Sequence, residues 1–403
     1  MKIINRDFTL LLAGQLVSQV GDKFHMIALS LYVLKTTGSS GKMGLVLAAS
    51  LVPTLTLGFF SGTFIDRYSR KTIIVGTDLL RGIVLGCFAV LFILDMINFY
   101  LILALQVILS VNAAFFDPAI PSVIPQIVAE DQLTRANAFH QFVNGFSLVG
   151  GAMLGGMVVA GFGYVWVFLV NAVSFLVSAL FESFIVIPPI QAEKKTSLIF
   201  DMKQGYGYLF ENTSLMILLF MVMVIHFFVG SIEVFMPVIA DRISGDGPKI
   251  LGFFHAAFGS GTIAMGVFIG LGFSLNGRLN KERLGLFVGT FFIGCLFVTS
   301  FFIQGSSTTR SSCFVLCFFL MGCALSLASV SFKTTLQKKA DNRYAGRIFA
   351  LSGSLGNAAI PFAMMLYGLL LDRFNFRGLL LSTGMLLMFT SLISFVLYKE
   401  KKG

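Results

Sequence analysis

The stretch Gly62-Thr63-Phe64-Ile65-Asp66-Arg67-Tyr68-Ser69-Arg70-Lys71 lies between two apolar runs, each of about 20 residues. Five of its last six residues are charged or polar. A run of that length crosses about 30 Å of hydrocarbon, so the stretch reads as a short hinge between two membrane spans. The rest of the chain agrees. Of 403 residues, 56% are hydrophobic and only 12% charged, with a mean hydropathy of +0.89. That is too little charge to coat a soluble domain.

Breaks in hydropathy predict twelve helices, near 8–34, 43–65, 72–94, 98–126, 134–160, 164–187, 214–240, 250–275, 283–304, 311–333, 344–371 and 377–398. The first begins after only Lys2 and Arg6. It runs too long for a signal-peptide core and is expected to be retained. One connection is long and polar. It spans 188–213 and opens with Pro188-Pro189. It divides the chain into an N-terminal six-helix bundle (1–187), a linker (188–213) and a C-terminal six-helix bundle (214–403). With a cytoplasmic N-terminus the inner loops and tails carry 20 Lys and Arg against seven outside. That bias places both termini in the cytoplasm. It also accounts for most of the net charge of +10, so no nucleic-acid partner is implied. The five cysteines fall inside apolar spans, where they read as small hydrophobes. No phosphate-binding loop or nucleophile constellation is present, so neither ATP hydrolysis nor covalent catalysis is supported, and no cofactor is expected.

The pattern Gly-x-x-x-Asp-Arg-x-x-Arg-Lys at the junction of spans two and three resembles the signature loop of the major facilitator superfamily. Gly76-Thr-Asp78-Leu-Leu-Arg81, Phe115-Phe-Asp-Pro118, Pro125 to Asn137 and Gly21-Asp22 narrow the likeness to its efflux branch, which includes macrolide and enterobactin exporters. Lysophospholipid flippases are more distantly similar. The halves echo each other as transporter repeats do. Gly38 to Gly44 resembles Gly245 to Gly252, and Asn276 to Arg283 occupies the place of the signature loop in the second half. The resemblance implies an all-α integral membrane protein, with two pseudo-symmetric bundles rocking about a central cavity and a small molecule carried by alternating access. Gly150 to Gly156 resembles the family's antiporter motif in span five, without its usual proline.

The resemblance also implies a gate. Gly62, Asp66, Arg67, Arg70 and Lys71 would close the cytoplasmic side, with Asp66 facing the start of span eleven near Arg343 to Arg347. A carboxylate there is stabilised by the positive end of a helix. Asp78 and Arg81, three apart on one helix face, extend that network or form a structural ion pair.

Deep membrane charges default to function. Asp22 lies near the middle of span one and Glu233 well inside span seven. A carboxylate kept from water takes up a proton more readily, which suits an antiporter with the proton as coupling ion. The alternatives are a structural hydrogen bond for Asp22, or a pair with Lys23 that the roughly 100° between neighbours makes awkward. Glu233 could instead sit toward the outer mouth. Glu182, about one turn from the end of span six, reads as interfacial. Asp117, just before Pro118, reads as capping a break in span four. Asp22 and His25 stand about 4.5 Å apart along a helix, close enough to share a metal ion. That leaves a divalent-metal exporter as an alternative beside a lipid flippase. Phe24, Phe116, Phe142, Phe146, Phe254 and Phe258 fall on candidate cavity helices. An aromatic cavity suits a lipophilic or amphipathic solute, though each ring could equally pack or face lipid. A monomer in the plasma membrane is expected, in contact with its solute and with lipid.

Overall fold

A computed structural model describes residues 5–57, 61, 69–129, 132–187, 213–243, 246–270, 281–339 and 345–397. The expected gate residues Gly62, Asp66 and Arg67, the linker 188–212 and the loop 271–280 lie outside the described residues. So does Arg343.

The described residues are helical, without a β-strand. Arg6–Thr37 forms α1. Ser40–Ala49 forms α2, and further helical turns follow at 52–57. Arg70–Ile93 is α3 and Phe99–Ile127 is α4. Leu133–Phe146 is α5; a π-helical turn, Ser147–Gly151, joins it to α6, Ala152–Phe162. Tyr164–Ser183 is α7. The later helices are α8 (Thr213–Ile243), α9 (Gly247–Gly270), α10 (Lys281–Phe301), α11 (Ser307–Lys339), α12 (Ala345–Arg373) and α13 (Phe376–Leu397). Among the described residues, ten spans are long and apolar enough to cross a bilayer. Among the described residues of α10, Gly285–Phe301 forms a further, shorter apolar helix, and α1 carries Gln15, Ser18, Gln19, Asp22, Lys23 and His25 among its apolar residues.

Local sequence sets the ends of α1. The Asn5 side chain accepts a hydrogen bond from the Phe8 N–H at 2.8 Å, an N-cap. Gly38 adopts φ 62°, and its N–H donates to the Leu34 carbonyl at 2.9 Å, the left-handed ending that glycine permits without strain.

Two compact units form, Met1–Glu193 with Pro237–Ala256, and Lys194–Met236 with Ala257–Gly403. The grouping departs from a cut at the linker alone, because Pro237–Ala256 joins the first unit. The reason is close backbone packing: a methyl on Gly156 would collide with the Pro248 carbonyl, and one on Gly252 with the Ala152 carbonyl.

Within the first unit α7 is held between α1 and α3. A Cβ on Gly14 would press on Ser178, one on Gly21 on Ser174 and Asn171, and one on Gly82 on Leu176 and the Ala172 carbonyl. Small residues let these helices approach at backbone distance. Across α4, Phe116, Ile120, Val123 and Ile124 pack on Phe8, Leu11, Ile73 and Ile74. In the second unit α10 packs on α11 and α13 in the same manner. Gly289 lies against Ala324 and Ala328, and Gly294 and Gly384 face each other's carbonyls. Leu215, Leu218, Met221, Leu286, Phe332 and Leu336 form its buried core.

Candidate functional site

The first unit gathers charge around one helix face. On α7, Asn171, Ser174, Ser178 and Glu182 recur at helical spacing and are all buried, Glu182 with 0% exposure. Asn171, Ser174 and Ser178 face the α1 glycines Gly14 and Gly21. Glu182 is therefore inside the bundle, which corrects the interfacial reading: it ends an inward polar stripe instead of facing the membrane surface. Asp78 of α3 is likewise 0% exposed. Its Oδ1 lies 3.9 Å from Nη1 of Arg81, one turn on. The Arg81 guanidinium rests over two aromatic faces, Phe116 at 4.9 Å and Phe175 at 5.2 Å. Cation–π contact of this kind holds a charge where water is scarce.

Two further carboxylates flank this buried group and are exposed: Asp22 on α1 and Asp117 on α4. Both lie within Coulombic reach of Asp78, and Asp117 also of Arg81 and Lys23. Asp117 does not cap a helix break, as its place before Pro118 suggested, because α4 runs on through Pro118, Pro121 and Pro125. Its backbone is nevertheless altered. Pro121 has no N–H to give to the carbonyl four residues earlier, and that carbonyl belongs to Asp117. The same relation recurs in the second unit, where Glu233 stands four residues before Pro237 inside α8. Glu233 is half-buried, and its Oε2 has no hydrogen-bond partner among the described residues.

His25, one turn from Asp22, has different surroundings. It is 3% exposed, its Nε2 lies 2.7 Å from Nε2 of Gln106 on α4, and its ring meets Phe168 edge-on at 5.4 Å. No group of three or more His, Cys, Asp or Glu able to hold a metal ion occurs among the described residues. The aromatic expectations divide. Phe142 and Phe146 are exposed and stacked, ring centroids 6.1 Å apart at 29°. Phe24 and Phe254 are buried. Phe24 packs with Ala28, Val159 and Val167, and its backbone lies against Gly155. The aromatic pair precedes the π-helical turn, whose last residue, Gly151, lies against Lys23. Of the expected gate, Arg70 donates from Nη1 to the Ser122 carbonyl at 2.7 Å, tying the start of α3 to α4. Lys71 is half-buried beside it in sequence.

The Major Facilitator Superfamily model matches residues 11–364. The chain belongs to this superfamily. It is 23% identical to macrolide efflux protein A of Streptococcus pyogenes over 392 residues, covering 94% of this chain and 93% of the relative. It is 28% identical to the putative bacilysin exporter BacE of Bacillus subtilis (strain 168) over 377 residues, 92% and 90% of the two chains. Among solved structures, the nucleoside transporter NupG superposes with a TM-score of 0.76 at 14% identity, covering 99% of this chain and 100% of the other. That likeness speaks for the fold alone.

As a major facilitator protein the chain is a multi-pass membrane transporter with efflux-related relatives, not an enzyme. Sequence reasoning singled out Asp22, Asp78 and Arg81, and the structure brings them together within one bundle. It left out Glu182 and Gln106 as members of the same interior. The signal for Glu182 was present in the spacing 171, 174, 178, 182, a polar stripe on one helix face. Gln106 carried no such signal.

Proposed function

We propose that this protein exports a lipophilic or amphipathic small molecule by alternating access, with protons moving in the opposite direction. The observation that carries the reading is the pair of exposed carboxylates, Asp22 and Asp117, on apolar helices of one bundle. An ionisable side chain at membrane depth that is not packed inside the protein belongs on a water-filled path. On α5 of the same unit Phe142 and Phe146 offer stacked, exposed rings to an apolar solute. The relatives named for macrolide efflux and bacilysin export favour an outward direction. In this reading Asp66, Arg67, Arg70 and Lys71 close the cytoplasmic side against the region of Arg347. Glu233 serves in the second bundle, and the protein works as a monomer.

The divalent-metal alternative asks Asp22 and His25 to face one ion. His25 is instead engaged with Gln106 and Phe168 inside the bundle, so the geometry favours a structural role for it.

The test is solute accumulation in inside-out vesicles with a panel of macrolides, lipophilic cations and a lysophospholipid. An acid-inside gradient should drive macrolide or cation uptake, and Asp22→Asn should reduce uptake to the gradient-free level. Uptake of the lysophospholipid alone would make the chain a flippase, and gradient-independent uptake would refute antiport.

A further inference from the structure

Asp78 and Glu182 create a charge imbalance that the packing does not relieve. Both are 0% exposed. Neither oxygen of Glu182 has a hydrogen-bond partner among the described residues, and the hydroxyl beside Asp78 is that of Ser178. The two carboxyls lie within Coulombic reach of each other and of a single guanidinium, Arg81. That guanidinium is enclosed by Phe116 and Phe175. The close helix contacts at Gly14, Gly21 and Gly82 leave α7 tight against its neighbours on both sides of the pair.

One guanidinium neutralises one carboxylate. A second ionised carboxylate in the same closed space would be a buried charge without a counter-ion, which costs several kcal/mol even after relaxation. Among the described residues the surrounding charges do not supply one. From α1 come Asp22 and Lys23, and from α4 comes Asp117, so the flanking carboxylates outnumber the single lysine. α6 carries no titratable residue. Asp7 and Arg70 are engaged elsewhere, with the Val186 N–H and the Ser122 carbonyl.

We propose that Asp78 and Glu182 together hold one proton, with Arg81 as the counter-ion of the carboxyl left ionised. The proton restores charge balance and lets one of the two carboxyls donate, since a carboxylic acid donates where a carboxylate only accepts. The site is a proton store buried between α3 and α7, separate from Asp22 and Asp117, which are exposed. Its existence does not depend on antiport. If export is proton-coupled, it is a second place, besides Asp22, where the coupling proton can reside.

The store is tested without substrate or gradient, by infrared spectroscopy of the purified full-length protein at neutral pH. The carbonyl stretch of a protonated carboxylic acid should be present in the wild type and lost in Glu182→Gln. It should also be lost in Asp78→Asn, because either change leaves one carboxylate matched to Arg81. Asp22→Asn and Asp117→Asn should leave the band in place. A wild-type protein without the band overturns the proposal with no variant needed. So does a band that survives either change within the pair, or one that disappears with Asp22 or Asp117. Should one variant of the pair fail to fold, the other decides. A failure of gradient-driven transport would leave this result untouched, so the two readings stand or fall separately.

Discussion

Gln106 shows what a single side chain decides in this bundle. Its contact turns His25 from a possible ligand into a fixed part of the interior, 2.7 Å away across 81 residues of sequence. Gln106→Leu should leave a buried ring nitrogen without its partner and lower stability by about 1–3 kcal/mol. A fall in the melting temperature of the detergent-solubilised protein would register that loss. An unchanged melting temperature would mean the contact contributes nothing. Asp22 and His25 were legible in the sequence because their spacing is local. Gln106 was not, because nothing in a linear pattern marks which residue of α4 meets which residue of α1. Glu182 is an intermediate case: its stripe was visible, but its nearness to the end of its span pulled the reading toward the membrane surface.

At the scale of the helix, the glycines of α3 look alike in sequence and differ in structure. Gly82 is pressed against α7, whereas a Cβ on Gly86 would meet nothing within 4 Å. Gly86→Ala should therefore raise stability by roughly 0.5–1 kcal/mol, the usual helix gain. Gly21→Val on α1 should lower it by about 1–3 kcal/mol, as overpacking does, because Ser174 and Asn171 already occupy that space. Thermal unfolding of the two variants beside the wild type reads both effects. A tolerated Gly21→Val would contradict the close approach of α1 and α7. The helices themselves were legible because each apolar run is long enough to span a bilayer. α1 was legible in the same way despite its polar residues, of which Gln15, Ser18 and His25 are buried in the bundle. Which glycines mark helix contacts was not legible, since that depends on the facing helix.

For the whole molecule, the distribution of Lys and Arg predicts topology. A cytoplasmic N-terminus puts 20 of them on the inner side against seven outside, so a C-terminal fluorescent-protein fusion should glow and a C-terminal alkaline-phosphatase fusion should be inactive. The opposite pattern would invert the assignment of every loop. The polar linker and the repeated loop motifs point in the sequence to a division into two halves. The transfer of Pro237–Ala256 to the first unit was not legible there, because it arises from the approach of Gly156 and Gly252, far apart in sequence.

The π-helical turn at Ser147–Gly151 has a consequence for how this span can change over time. A π turn carries one residue beyond the regular α-helical count, so the helix after it is rotated by about 100° from the path it would otherwise follow. The aromatic pair on one side and Gly155 and Gly156 on the other are thus aimed independently. Losing or gaining one residue within the turn would swing one set while the other kept its bearing, giving this span a built-in point at which the half carrying the aromatic pair can be re-registered without loosening the half that grips its neighbours.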